Sequence, residues 1–186
     1  MSIKESFSHI LSEIDKDKKY INDEVFENTP KRIEDFYLDF FSGINIEPKD
    51  FFKNTFECNN NNVVIEKNIN FYSMCEHHFL PFFGKISVAY IPNKRIVGFG
   101  DIVKTIESFS KRPQLQERLT EDIAKAIVEG LNPLGVFIVI EAEHLCMTMR
   151  GIRKPGTKII TSCSKGIFEK SQDKRAEVMA LLKLND

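Results

Sequence analysis

VFIVIEAEHLCMTMRGI, residues 136–152, is a long run with few turn residues, and it reads as a single strand. TKIITSCSKGIF, residues 157–168, reads as its antiparallel partner. With a side-chain period of two, His144, Cys146, Thr148 and Arg150 fall on one face of the strand, while Glu143, Leu145, Met147 and Met149 fall on the other. A histidine, a thiol, a hydroxyl and a guanidinium in one row make a poor core and a good active-site wall.

Working outward, VVIEKNINFYSM (63–74), GKISVAYIP (84–92) and RIVGFG (95–100) are short and β-rich, and Pro92-Asn93 punctuates them as a hairpin would. Ile102, Ile106 and Phe109, then Leu115, Leu119, Ile123, Ile127 and Leu131, predict two helices broken near Pro113 and stopped by Asn132-Pro133 and Gly135. SQDKRAEVMALLKL (171–184) closes the chain as a helix. Toward the N-terminus, Ile3, Phe7, Ile10, Leu11 and Ile14 recur at helical spacing, as do Ile33, Phe36, Tyr37, Phe40 and Phe41. The second of these helices has a cap at Asn28 or Thr29, Pro30 in its first turn and Gly43 as its stop. CNNNN (58–62) reads as an exposed loop. The order predicts an α+β fold, an antiparallel sheet layered with paired helices, with a helical extension over 1–60 and the main domain over 61–186.

The 186 residues suffice for a real core. Lys plus Arg (26) nearly balance Asp plus Glu (27), and no like-charge block appears, so neither nucleic acid nor a membrane is the expected partner. There is no apolar run of about 18 residues, and the start MSIKESFSHILSEIDKDKK lacks the basic-then-apolar order of a signal peptide. The expectation is a cytoplasmic protein whose cysteines, Cys58, Cys75, Cys146 and Cys163, stay reduced.

In SMCEHHFLPFFGK (73–85), Cys75 and His78 have the x2 spacing with which one turn offers a thiolate and an imidazole to a single ion. Cys146 would add a third donor, leaving a fourth position to water, as in catalytic zinc sites. His77 and His144 remain for proton transfer. The competing reading makes Cys75 and Cys146 ordinary buried thiols. Cys58 and Cys163 have no histidine nearby and read as structural, and His9 as solvated. GFGDIV (98–103) lacks the third glycine and the βαβ setting of a dinucleotide loop. Gln116 and Glu117, in RPQLQERL (112–119), stand at a helix start, where a solvated amide and a helix-start charge are the plain interpretation.

CEHHFLPFFGKISVAYIPNKRIVGFG, RPQLQERLTEDIA, EAEHLCMTMRGI and TKIITSCSKGIF together resemble GTP cyclohydrolase I, and ENTPKRIEDFY resembles the N-terminal helix of that family. The resemblance implies a T-fold whose subunits form pentameric rings that stack as a homodecamer, with active sites between subunits. It implies zinc held by Cys75, His78 and Cys146, and His77 and His144 as the active-site histidines. GTP would be the substrate: its imidazole ring is opened, C8 leaves as formate, and 7,8-dihydroneopterin triphosphate forms. Glu117 matches the acid that holds the guanine edge, with Gln116 beside it. Arg150 matches a triphosphate-binding arginine, and Lys104 stands where an arginine is usual. One departure is Gly98-Phe99-Gly100-Asp101 in place of Gly-Leu-Ser-Lys, which sets a negative charge where phosphates should lie. The rival functions are a non-catalytic purine- or pterin-binding ring protein and a same-fold enzyme for another purine nucleotide.

Overall fold

The computed structural model describes residues 1–184, apart from the side chain of Lys49. The last two residues of the expected 61–186 domain lie outside that range. The chain forms two compact units that divide after Ser42.

In the first unit, α1 (Ile3–Ile14) opens with a capping box between Ser2 and Glu5. Asp15 ends it by accepting the backbone N–H groups of Lys19, Tyr20 and Ile21 at 2.7 to 2.9 Å, which fixes the turn into α2 (Asp23–Phe40). That helix starts earlier than Asn28. Asn22 caps it by accepting the Val25 N–H at 3.0 Å, and Asp23 and Glu24 add charge that complements the helix dipole. Pro30 therefore lies inside the helix. Phe7 packs on Tyr37, with ring centroids 5.8 Å apart.

The second unit contains, in order, β1 (Thr55–Glu57), β2 (Val64–Cys75), β3 (Pro81–Ile91), β4 (Arg95–Val97), α3 (Phe99–Ser110), β5 (Pro113–Gln114), α4 (Gln116–Leu131), β6 (Gly135–His144), α5 (Leu145–Thr148), β7 (Lys158–Gly166), α6 (Ile167–Lys170) and α7 (Gln172–Leu182). The larger sheet has the order β5-β2-β3-β6-β7, antiparallel throughout except where β5 joins β2 in parallel. The fold is α+β. Among the described residues no helix is long and apolar enough to cross a membrane.

The pleat sorts the core. Phe82, Ile86, Val88 and Tyr90 of β3 and Val136, Ile138, Ile140 and Ala142 of β6 face the main core, where Ile102 and Ile106 of α3 and Leu119, Ile123 and Ile127 of α4 meet them. Ala89, Ile91 and Phe137 point the other way and pack with Phe168 of α6 and Val178 of α7. The next residue after Ala142 in the core-facing row is His144. The Asn132 stop is confirmed as a left-handed cap that ends α4.

Two strand expectations need correction. Pro92-Asn93 does not turn β3 back on β4, because β4 pairs with β1; the hairpin joins β2 to β3 through residues 76–80. The long strand also stops at His144 instead of reaching Arg150. Its pairing with β3 ends at Phe82↔His144 and with β7 at Glu143↔Lys158, so a longer strand would leave its backbone unpaired. Residues 145–148 satisfy themselves as a helical turn, with Met149 N–H donating to Leu145 O at 3.0 Å.

Candidate active site

The β2–β3 turn is itself the Cys-Glu-His-His stretch. Cys75 N–H donates to Leu80 O at 2.9 Å and Phe79 N–H to Cys75 O at 2.8 Å, closing a tight loop. Phe79 sits at φ +51°, a conformation that costs a residue with a Cβ roughly 1–2 kcal/mol. The loop holds Cys75 Sγ 3.7 Å from His78 Nδ1. A second element fastens it: Glu76 N–H donates to Gln114 O at 3.1 Å, continuing the β2–β5 bridge.

Cys146 arrives from the helical turn after β6. One donor atom each from Cys75, His78 and Cys146 lie within 4.8 Å of one another. The edges of a tetrahedral zinc site with two thiolates and one imidazole are roughly 3.4–3.8 Å, so the set fits such an ion with little adjustment. Burial raises the Cys146 thiol above its usual range, and the neighbouring Cys75 raises it further. A bound cation is what would let two adjoining sulfurs ionise together.

His144 is buried beside this cluster. Its ring stacks on Phe82, with centroids 4.5 Å apart and planes at 5°, and its Nε2 lies 2.8 Å from Gln116 Oε1. Burial lowers its pKa, and the nearby Glu117 charge acts in the opposite direction. Gln116 is 2 % exposed, not solvated. It opens the buried stripe of α4 three residues before Leu119, so the helix carries its amide into the core.

The remaining expected residues are all exposed. Glu117 is exposed in the first turn of α4, near enough for its charge to act on His144. Arg150 is exposed beyond the helical turn, where its charge acts on Cys146. The His77 side chain is 64 % exposed, with Nε2 4.0 Å from Glu76 Oε1. Lys104, on α3, forms an ion pair with Asp101 of the same helix at 2.8 Å. Outside the site, Cys163 donates to Glu121 Oε2 at 2.9 Å; burial and that carboxylate push its thiol up to about 12, which leaves it inert.

Sequence reasoning missed Arg118. Its guanidinium donates to Gln114 Oε1 at 3.0 Å, to Pro113 O at 3.0 Å and to Glu76 Oε2, tying the start of α4 to the turn that bears Cys75 and His78. The available signal was the acid between the two ligand-spaced residues and a basic residue next to Glu117.

A cysteine–histidine hairpin turn, a second cysteine in the helical turn after β6 and a buried imidazole at the end of that strand define an α+β fold with a donor set at one end of its sheet that could hold a metal ion. The sequence matches the GTP cyclohydrolase I family over residues 3–183. It is 59 % identical over 160 residues to GTP cyclohydrolase 1 of Fusobacterium nucleatum, covering 86 % of each chain. It is 45 % identical to GTP cyclohydrolase 1 of Lysinibacillus sphaericus, over 100 % of this chain and 97 % of that one, and 46 % identical to that of Clostridium perfringens, over 98 % and 97 %. The chain belongs to the GTP cyclohydrolase I family and is an enzyme of this kind.

Proposed function

We propose that the chain opens the imidazole ring of GTP hydrolytically, releases C8 as formate and forms 7,8-dihydroneopterin triphosphate, with zinc as its metal. The observation that carries this reading is the convergence of Cys75, His78 and Cys146 beside His144, in a chain of this family. When bound, zinc supplies Lewis-acid activation of water near neutral pH.

The protein's own residues divide the remaining work. Opening and reclosing a ring moves protons to and from ring nitrogens, and His77 and His144, neither of them a ligand, are the groups for it. His144 is held rigidly, while His77 is exposed and free to meet a substrate from outside. Glu117 accepts the guanine N1–H and amino hydrogens, a donor pattern that adenine lacks. Gln116 stands beside it, and Arg150 and Lys104 serve the triphosphate. A T-fold ring is the proposed assembly, with ten subunits in two stacked pentamers and sites between them. In the larger sheet β7 is an edge strand whose Ile160 is 64 % exposed, an edge that a neighbouring subunit would cover. A cytoplasmic setting suits a GTP-consuming enzyme with four free cysteines.

Metal analysis with a His77→Ala variant tests this reading. The variant should keep one zinc per chain and lose ~10²- to 10⁴-fold in turnover. Activity within about threefold of the parent would make His77 structural.

A further inference from the structure

The start of α4 contains a polar contact whose direction can be deduced. Gln116 Nε2 lies 3.2 Å from Ile140 O and 3.1 Å from Ile159 O. Backbone carbonyls only accept, so the amide nitrogen must face them and the amide oxygen cannot. Thr161 Oγ1, 3.1 Å from the same nitrogen, fits the same sense. Thr120 gives its single hydroxyl hydrogen to Gln116 O at 2.7 Å, so Thr161 must donate to Thr120 and keep a lone pair for Gln116. Gln116 Oε1 is therefore an acceptor aimed at His144 Nε2, and that nitrogen must carry a hydrogen. Phe82 stacked on the ring prevents the imidazole from turning over without repacking the core.

We propose that Gln116 is a positioning residue that fixes the orientation and tautomer of His144, so that Nδ1 is the ring atom through which His144 exchanges a proton with the substrate. This rests on the reading of His144 as a proton-transfer group. A proton accepted from the substrate sits on Nδ1 and returns from Nδ1, while the Nε2 hydrogen stays with Gln116 throughout. The assignment also removes the Gln116 side chain from direct substrate contact, because both ends of its amide are occupied by protein groups and its surface is closed. The residue is placed for this by helix geometry: it begins the same stripe as Leu119, Ile123 and Ile127, and that stripe rests on the strand ending in His144.

The test uses the zinc-loaded enzyme with ¹⁵N-histidine; with only four histidines in the chain, the His144 signals follow from a His144→Gln comparison. The neutral ring should carry its hydrogen on Nε2. Gln116→Leu should lower kcat for GTP by roughly 10- to 100-fold, leave KM within about threefold, and retain zinc, a split expected of a lost proton-transfer geometry. Gln116→Glu keeps an acceptor oxygen toward the ring provided its other oxygen is protonated and donates to Ile140 O or Ile159 O; in that neutral form it should retain the Nε2–H form, with kcat about tenfold above that of Gln116→Leu. Equal kcat in the two variants, or a rise in KM alone, overturns the proposal. If Gln116→Leu does not fold, the parent spectrum decides, and a hydrogen on Nδ1 of the neutral ring overturns it. Parental kcat in His144→Gln would instead remove the underlying reading of His144, whatever its tautomer.

Discussion

Cys75 and Cys146, one in the β2–β3 turn and the other in the helical turn after β6, place their sulfurs within 4.8 Å of each other and of a His78 nitrogen. Both cysteines are free, and each turn is closed by backbone hydrogen bonds, Phe79 N–H to Cys75 O in one and Met149 N–H to Leu145 O in the other. Cys146→Ala should abolish zinc retention while leaving the fold of the main sheet, whereas Cys163→Ala, whose thiol is bonded to Glu121, should keep zinc at the parental level. Elemental analysis after gel filtration decides it. Undiminished zinc in Cys146→Ala would remove that residue from the ligand set.

Glu117 is exposed in the first turn of α4, where it contributes nothing to the core. Glu117→Gln would turn an amide donor toward the donors of guanine, so catalytic efficiency toward GTP should fall by ~1–3 kcal/mol, or about 5- to 150-fold, with the melting temperature and zinc content unchanged. Steady-state kinetics at parental levels would return Glu117 to a solvated helix-start charge.

Asp101 occupies the first turn of α3 and pairs with Lys104 at 2.8 Å. A triphosphate reaching for Lys104 must compete with that carboxylate. Asp101→Asn should therefore lower KM for GTP, and more at low salt than at high, because the competing charge is screened over about 8 Å at physiological ionic strength. It should also cost ~0.3–1 kcal/mol of stability, since an acid near a helix N-terminus is favourable. An unchanged KM with only the stability loss would show that Lys104 serves α3 and not the substrate.

Glu66 has a buried side-chain oxygen, Oε1, without a hydrogen-bond partner, and burial raises its pKa from the usual carboxylate range to about 7. Below pH ~4.5 the group is protonated in both folded and unfolded chains and costs nothing. Between pH ~4.5 and 7 the unfolded chain ionises while the folded protein keeps the proton, and a penalty of order 3 kcal/mol develops that is complete above pH 7. Glu66→Gln should thus raise the melting temperature at pH 8 and change it little near pH 4. A loss of stability at pH 8 would mean that the carboxylate has a charged partner in the assembled protein.

The parts of the fold that follow from local repetition were legible. The alternation in β3 and β6, the stripe along α4 and the Asn132 stop are written in consecutive residues. What failed depended on partners distant in sequence. Nothing in LCMTM shows that β3 has turned away at Pro81 and that β7 joins at Lys158, yet those endpoints stop the strand at His144. Likewise Pro92-Asn93 looks more like a hairpin turn than Glu-His-His-Phe, whose turn relies on Phe79 adopting a left-handed backbone. For the site, Cys-x-x-His was visible as a ligand pair. Gln116 looked like a solvated amide because the carbonyls that claim it, Ile140 O and Ile159 O, lie on two strands distant from it in sequence.

The most direct measurement of the central claim is turnover of GTP by the purified chain, following formate release together with the fluorescence of the oxidised pterin. The account predicts equal amounts of both products, loss of both when the metal is removed by a chelator, and recovery when zinc is restored to the still-folded protein. GTP bound but recovered unchanged by the zinc-loaded enzyme, or formate produced equally well without metal, would contradict it.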